Sequence, residues 1–288
     1  MNRLSRRRDF TSVSVEEVAR FWDGRPCNIR HSPQPVGSRE YFDEVEERKY
    51  LVEPHILAFA DFAKWKDSKV LEVGSGIGTD TINFARAGAT VVAVELSERS
   101  MDLAKQRASV FGLSDRVRFI NGNAELLSSL VPSERYDLIY SFGVIHHSPH
   151  PEVILREMRK VASVGTTLKL MVYHRRSWKV AAIVLRYGRG RFWRSRRIIA
   201  DHSEAQFGSP VTYTYSRREF VDLVRRSGFR PTQVFVDHIF PYRIPDYVEY
   251  RYVKAWYWRL MPPTLFRFLE RRFGWHLCVT AVADEEAS

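Results

Sequence analysis

Residues Val70-Leu71-Glu72-Val73-Gly74-Ser75-Gly76-Ile77-Gly78-Thr79 constrain this chain more than any other stretch. They read as a buried strand, a glycine turn and the start of a helix. Glycines at alternating positions let the main chain reverse and approach a ligand closely, where any Cβ would collide. The helix that follows aims its first N–H groups and positive dipole end at the same space. Glu72 sits just before the first glycine. A carboxylate there repels a pyrophosphate and attracts an ammonium or sulfonium group.

The rest of the chain alternates strand and helix patterns. Strands are predicted at 69–73, 90–96, 117–120, 136–141 and 168–173. Helices are predicted over 79–87, from Ser97 to Phe111, and from Ser148-Pro149 onward. Such alternation implies a parallel sheet covered on both sides. After the fifth strand comes an insertion, 174–211, with helices expected around 178–187 and 196–206. A helix at 216–227 and a strand at 232–236 resume the pattern. A second insertion, 240–274, is dense in Tyr, Trp and Arg, and residues 275–283 close the chain as a strand. Upstream, Ser14-Val15-Glu16-Glu17 reads as a capping box. A Gly/Pro-rich loop follows, then a helical segment, 41–65, broken at Pro54. The expected division is an N-terminal helical lid, 1–66, and a binding domain, 67–288, carrying the two insertions.

A chain of 288 residues can bury one sizeable core with appendages. Cys27 and Cys278 are too few for a disulfide framework or a zinc site, and no cysteine trio is present for an iron–sulfur centre, so no metal is expected. The longest apolar run, near 180–185, is too short to span a bilayer, and the basic residues 1–8 lead into no apolar stretch. The expectation is a cytoplasmic protein. A formal charge of +11 raises the question of nucleic acid. The basic residues are largely interspersed with acids, which reads as a solvated surface, although clusters stand at 3–8, 186–197 and 267–272.

With these elements placed, the chain resembles the class I S-adenosylmethionine (SAM)-dependent methyltransferases, in particular the small-molecule branch related to quinone-biosynthesis enzymes. The resemblance is strongest over 69–173 and weaker from 216 to the end. It implies a Rossmann-like, seven-stranded, mostly parallel α/β sheet with helices on both faces, its terminal strand inserted antiparallel beside the fifth. It also implies SAM as cofactor, with S-adenosylhomocysteine as product. By that resemblance Glu72, Gly74, Ser75, Gly76, Gly78 and Thr79 cradle the methionine end. The alternative dinucleotide pattern, Gly-x-Gly-x-x-Gly, fails because Thr79 stands at its third glycine. Glu95, followed by Leu96, ends the second strand, where a carboxylate can accept both ribose hydroxyls. Asn123, Ala124 and Glu125 fall where the family contacts adenine, with an Asx turn as the alternative role for Asn123. Ser141, Phe142 and Gly143 lie beside the cofactor at the exit of the fourth strand.

His146 and His147 follow at the rim, where a near-neutral histidine can take a proton from an attacking hydroxyl or ammonium. His146 is the preferred base. Candidate acceptor-binding residues are Trp22, Arg30, His31, Tyr41 and Tyr50 from the lid, Tyr173 and His174 from the fifth strand, and Tyr242 from the second insertion. The expected activity is methyl transfer to an oxygen or nitrogen of a small molecule, with an aromatic, anionic or lipid-like acceptor suiting the aromatics and arginines. An RNA methyltransferase and a non-catalytic SAM-binding protein are the alternatives. The oligomeric state is not legible.

Overall fold

In a computed structural model, which describes residues 10–188, 195–202 and 209–284, the chain forms a seven-stranded sheet. The strands are β1 (Lys69–Val73), β2 (Thr90–Glu95), β3 (Val117–Asn121), β4 (Leu138–Phe142), β5 (Thr167–Tyr173), β6 (Phe229–Asp237) and β7 (His276–Ala283). Their spatial order is β3-β2-β1-β4-β5-β7-β6. The first five run parallel, and β7 is antiparallel to both β5 and β6. The order reverses between β1 and β4, which opens a crevice at their carboxyl ends.

Both faces of the sheet are covered, which is why β1 and β4 are nearly continuous in apolar residues. Helices α4 (Thr79–Arg86) and α5 (Glu98–Val110) follow β1 and β2, and the short α6 (Leu127–Leu130) follows β3. Helix α7 (Pro151–Val161) leads into β5, and α10 (Arg217–Arg226) leads into β6. On one face Leu71, Val73, Ile139 and Leu170 pack with Ile154, Leu155 and Met158 of α7 and with Phe220 and Val224 of α10. On the other, Val70, Val91, Leu138 and Tyr140 meet Phe84 of α4 and an upstream group, Ile56, Phe59 and Trp65. Ile56 and Phe59 come from α3 (His55–Ala60), which Pro54 separates from α2 (Arg39–Val52) as expected.

Ahead of these, α1 (Val15–Gly24) begins where Ser14 accepts the N–H of Glu17, and it packs on α5. Phe10, Val13 and Val18 join Ala200 and Val211, so the N-terminal segment is tied to the first insertion. That insertion holds α8 (Trp178–Gly188) and α9 (Ser195–His202). Residues 203–206 of the helix expected there, and the basic cluster at 3–8, lie outside the described residues. The second insertion holds α11 (Ile244–Val248), α12 (Trp256–Arg259) and α13 (Pro263–Phe273).

Most expected boundaries shift by one or two residues, and two starts shift by three. Helix α7 starts at Pro151 rather than Ser148 because the Ser148 hydroxyl donates to Glu125 (2.6 Å) and accepts the His150 N–H, making a turn. Strand β6 spans nine residues, longer than 232–236, because β7 pairs along its whole length across an irregularity between Pro231 and Gln233.

Candidate active site

The glycine turn is laid over the end of β2 by its own backbone. Gly74 N–H donates to Val94 O at 2.7 Å, and Gly76 N–H donates to the Glu95 carboxylate at 2.8 Å. Gly74, Gly76 and Gly78 all have positive φ (+82°, +55° and +77°), which side-chain-bearing residues rarely adopt. At Gly74 a Cβ would also lie 2.3 Å from a Val144 methyl. At Gly76 it would meet no protein atom, yet Gly76 lines the cavity at the crevice, so the space it leaves open faces the ligand.

That cavity runs from Glu95 and Leu96, past Gly74, Ser75, Gly76 and Thr79, to Phe142, Gly143, His147 and Tyr173. Asn123, Ala124 and Glu125 form its floor beside β3, and Val15, Val18 and Trp22 of α1 close it from above. Of the residues expected to hold cofactor, Glu72, Gly74, Ser75, Gly76, Thr79, Glu95, Leu96, Asn123, Ala124, Glu125, Phe142 and Gly143 line it together. Gly78 does not; it caps α4 and packs on Ala104. Ser141 is also set back, its hydroxyl bound to Val73 O at 2.9 Å, where it ties β4 to β1.

Three polar groups give the cavity its chemical character. Glu95 accepts N–H groups from Gly76 and Ser97 (2.8 and 2.9 Å), one on each oxygen, and a carboxylate has capacity for two further donors. The buried Ser75 hydroxyl has no partner among the described residues, an orphaned polar atom at the wall. Glu72 is buried and receives the Thr81 hydroxyl. Burial, reinforced by the nearby Asp80 carboxylate, pushes its pKa up to about 8. Asp80 itself is held by Lys49 (2.6 Å) and by the hydroxyls of Tyr50 and Tyr140 (2.9 Å each). A cationic ligand beside Glu72 therefore meets an acidic pair, one carboxyl whose ionisation the ligand would favour and an Asp80 carboxylate already paired with Lys49. The orphaned serine, the acidic pair and the half-satisfied Glu95 together fit SAM, which carries an ammonium, a sulfonium and a ribose diol.

The paired histidines separate. His147 lines the cavity, and its Nδ1 is 2.9 Å from Val211 O. A carbonyl only accepts, so Nδ1 carries a proton in this contact and the Nε2 side of the ring is the one available for base chemistry in the neutral form. His146, the preferred base in the sequence reading, is fully buried and absent from the cavity wall. Neither of its ring nitrogens has a partner among the described residues. Its ring lies 3.9 Å from that of Tyr173, and burial holds its pKa well below the usual imidazole range. It is a packing residue.

The acceptor candidates divide as well. Trp22 and Tyr173 line the cavity, and Trp22 meets His147 edge-on at 5.1 Å. Tyr50 reaches the cavity only through Asp80. Tyr41 is fully buried with its hydroxyl on Ile29 O, Arg30 is exposed, and His174 is buried against Gly274 O. His31 packs on Tyr247, which with Tyr250 and Tyr252 encloses the Arg48 guanidinium. Tyr242 joins the same aromatic cluster, so these rings serve a buried cation rather than the cavity. Lys49, Asp80, Asn28 and Ser148 line the cavity without having been expected there. Asp80 carries a local signal, since it stands in the first turn of the helix after the glycines.

Residues 64–179 match the family described as a methyltransferase domain. A tRNA 5-carboxymethoxyuridine methyltransferase of Escherichia coli is 33% identical over 106 residues, 37% of this chain and 40% of that protein. A ubiquinone biosynthesis O-methyltransferase of Cereibacter sphaeroides is 26% identical over 57% of this chain and 60% of its own length. This chain thus spans only about 40% of the length of the former relative. Among solved structures, the magnesium protoporphyrin IX methyltransferase of Synechocystis with bound S-adenosylhomocysteine superposes with a TM-score of 0.58 at 15% identity, covering 94% of this chain and 100% of that one.

Proposed function

We propose that this chain is a class I SAM-dependent methyltransferase, as the methyltransferase-domain match over residues 64–179 supports, and that it transfers a methyl group to an oxygen or nitrogen of a small-molecule acceptor held beneath α1. The observation that carries this reading is the contact of His147 Nδ1 with Val211 O (2.9 Å), which orients a ring on the wall of the same cavity that Ser75 and Glu95 line.

SAM supplies an electrophilic methyl group on sulfur. Glu72 and Ser75 would hold the methionine end, and Glu95 the ribose diol. Asn123 gives its side-chain oxygen to the Glu125 N–H (2.9 Å), which leaves its NH₂ for the base. Displacement at the methyl group needs alignment above all, worth roughly 7–11 kcal/mol when the reactants are held in line. Trp22 and Tyr173 provide the apolar walls for that alignment, with α1 acting as the lid. His147 would accept the acceptor's proton through Nε2, and the imidazolium so formed would be stabilised by Nδ1–H donating to Val211 O, a contribution of roughly 10²–10⁴-fold. The exposed Trp256, Leu260 and Phe268 of the second insertion suit an amphiphilic acceptor.

An RNA acceptor is the second reading, supported by the +11 charge and by the E. coli relative, a tRNA methyltransferase. Methyl-labelled SAM incubated with the protein and either a metabolite extract or total tRNA separates the two. Label in a small, ultrafiltrable product is expected. Label recovered in RNA, with affinity falling steeply as salt rises, would replace the first reading with the second.

A further inference from the structure

Beyond the cofactor cavity, two buried imidazoles, a half-buried third and one carboxylate converge at the edge formed by β5, β6 and β7. Register pairs Asp237 of β6 with His276 of β7, and His276 with Tyr173 of β5. His238 follows β6 directly, held at φ +72°, and Glu53 caps the end of α2. One ligand atom from each of Glu53, His238 and His276 lies within 4.8 Å of the others. The Glu53 carboxylate is 3.6 Å from His276 Nε2 and 4.0 Å from His238 Nε2. We propose that Glu53, His238 and His276 bind a divalent transition-metal ion of the zinc type.

Bonds of about 2.0–2.2 Å in a tetrahedral shell set ligand atoms about 3.3–3.5 Å apart. The observed separations close to that by side-chain rotations of about an ångström. A donor set of two imidazoles and one carboxylate, without thiolates, selects Zn²⁺, Co²⁺ or Fe²⁺ over Mg²⁺ and Ca²⁺, which take oxygen ligands. His238 and His276 are both buried, and ligation takes the neutral imidazole.

His55 completes the arrangement. Its Nε2 is 2.9 Å from His276 Nδ1. With His276 Nε2 on the metal, Nδ1 carries the proton and donates to His55, the outer hydrogen bond that metal-bound histidines generally make. His276 also meets Phe142 edge-on at 5.5 Å and stacks near Tyr173 at 6.3 Å. Both rings line the cofactor cavity, so the metal would stiffen the wall at its acceptor end. The sequence offers no hint of this site because its ligands come from three segments with no local metal spacing.

The test uses untagged full-length protein, stripped with a chelator and titrated with Zn²⁺ by calorimetry and with Co²⁺ by visible absorption. One equivalent should bind with intense Co²⁺ bands of a tetrahedral site. Glu53→Gln and His276→Ala should each weaken binding by more than 100-fold, beyond the roughly 10- to 100-fold expected of His55→Phe. Uptake of less than a tenth of an equivalent by the wild-type protein would overturn the proposal. So would unchanged Zn²⁺ affinity in Glu53→Gln, whose shape and part-exposed position keep it readable if the histidine variants fail to fold. Neither outcome depends on whether the protein binds SAM.

Discussion

The raised pKa of Glu72 makes SAM binding a proton-linked event whose size can be worked out. With the pKa near 8 in the free protein, about a tenth of Glu72 is ionised at pH 7 and about a hundredth at pH 6. A ligand ammonium or sulfonium beside it favours the carboxylate and drives that pKa down. Binding should then release close to one proton at pH 6–7, and the SAM dissociation constant should fall about tenfold per unit as pH rises from 6 to 7, levelling above 8. Stability of the ligand-free protein runs the other way. The folded pKa lies above the unfolded one, so the folded state binds more protons between about pH 4.5 and 8, and stability declines as pH rises across that window. Calorimetry in buffers of different ionisation enthalpy counts the protons, and Glu72→Gln should abolish both the release and the slope. A flat affinity between pH 6 and 8 with no proton release would refute the assignment of Glu72 to the cationic end of the ligand.

Glu95→Ala removes a charged acceptor and should weaken SAM binding by about 10- to 100-fold, given roughly 1.5–3 kcal/mol for hydrogen bonds to a charged group; isothermal titration with a change under threefold would contradict it. His147→Ala should lower turnover by at least 100-fold with SAM affinity nearly unchanged, whereas His146→Ala should act on thermal stability first; equal turnover losses in steady-state assays would return the base role to either ring. The fully buried Arg107 binds Thr79, Phe42 O and Glu46 at 2.7–3.0 Å, so Glu46→Ala, which strips its counter-charge, should cost about 3–5 kcal/mol in denaturant unfolding, and a loss below 1 kcal/mol would show that the pair is dispensable.

The turn after β1 was legible because everything that defines it is local: strand, glycines and helix start within ten residues. The antiparallel insertion of β7 could be stated only through the family resemblance, since pairing between segments a hundred residues apart leaves no local pattern. Lys49 escaped notice for the same reason, reaching Asp80 from 31 positions away on a helix that reads as ordinary surface. The aromatic run in the second insertion showed the opposite failure. Its composition suits a ligand pocket equally well, but the rings close around Arg48, whose guanidinium lies 4.0 Å from the centre of the Tyr247 ring. The two adjacent histidines could not be told apart by sequence, because the difference rests on distant segments: His147 stands at the cavity wall against Val211 O of the first insertion, and His146 is buried against Tyr173 of β5.

The account turns on one nucleoside bridging two strand ends, with Ser75 and Glu72 at one side and Glu95 at the other. Titration of the purified protein with SAM and with S-adenosylhomocysteine tests this most directly. A single saturable site is expected for both ligands, lost or strongly weakened in a Gly76→Val, Glu95→Ala double variant that keeps its fold. No measurable binding of either nucleoside to the folded wild-type chain would contradict it.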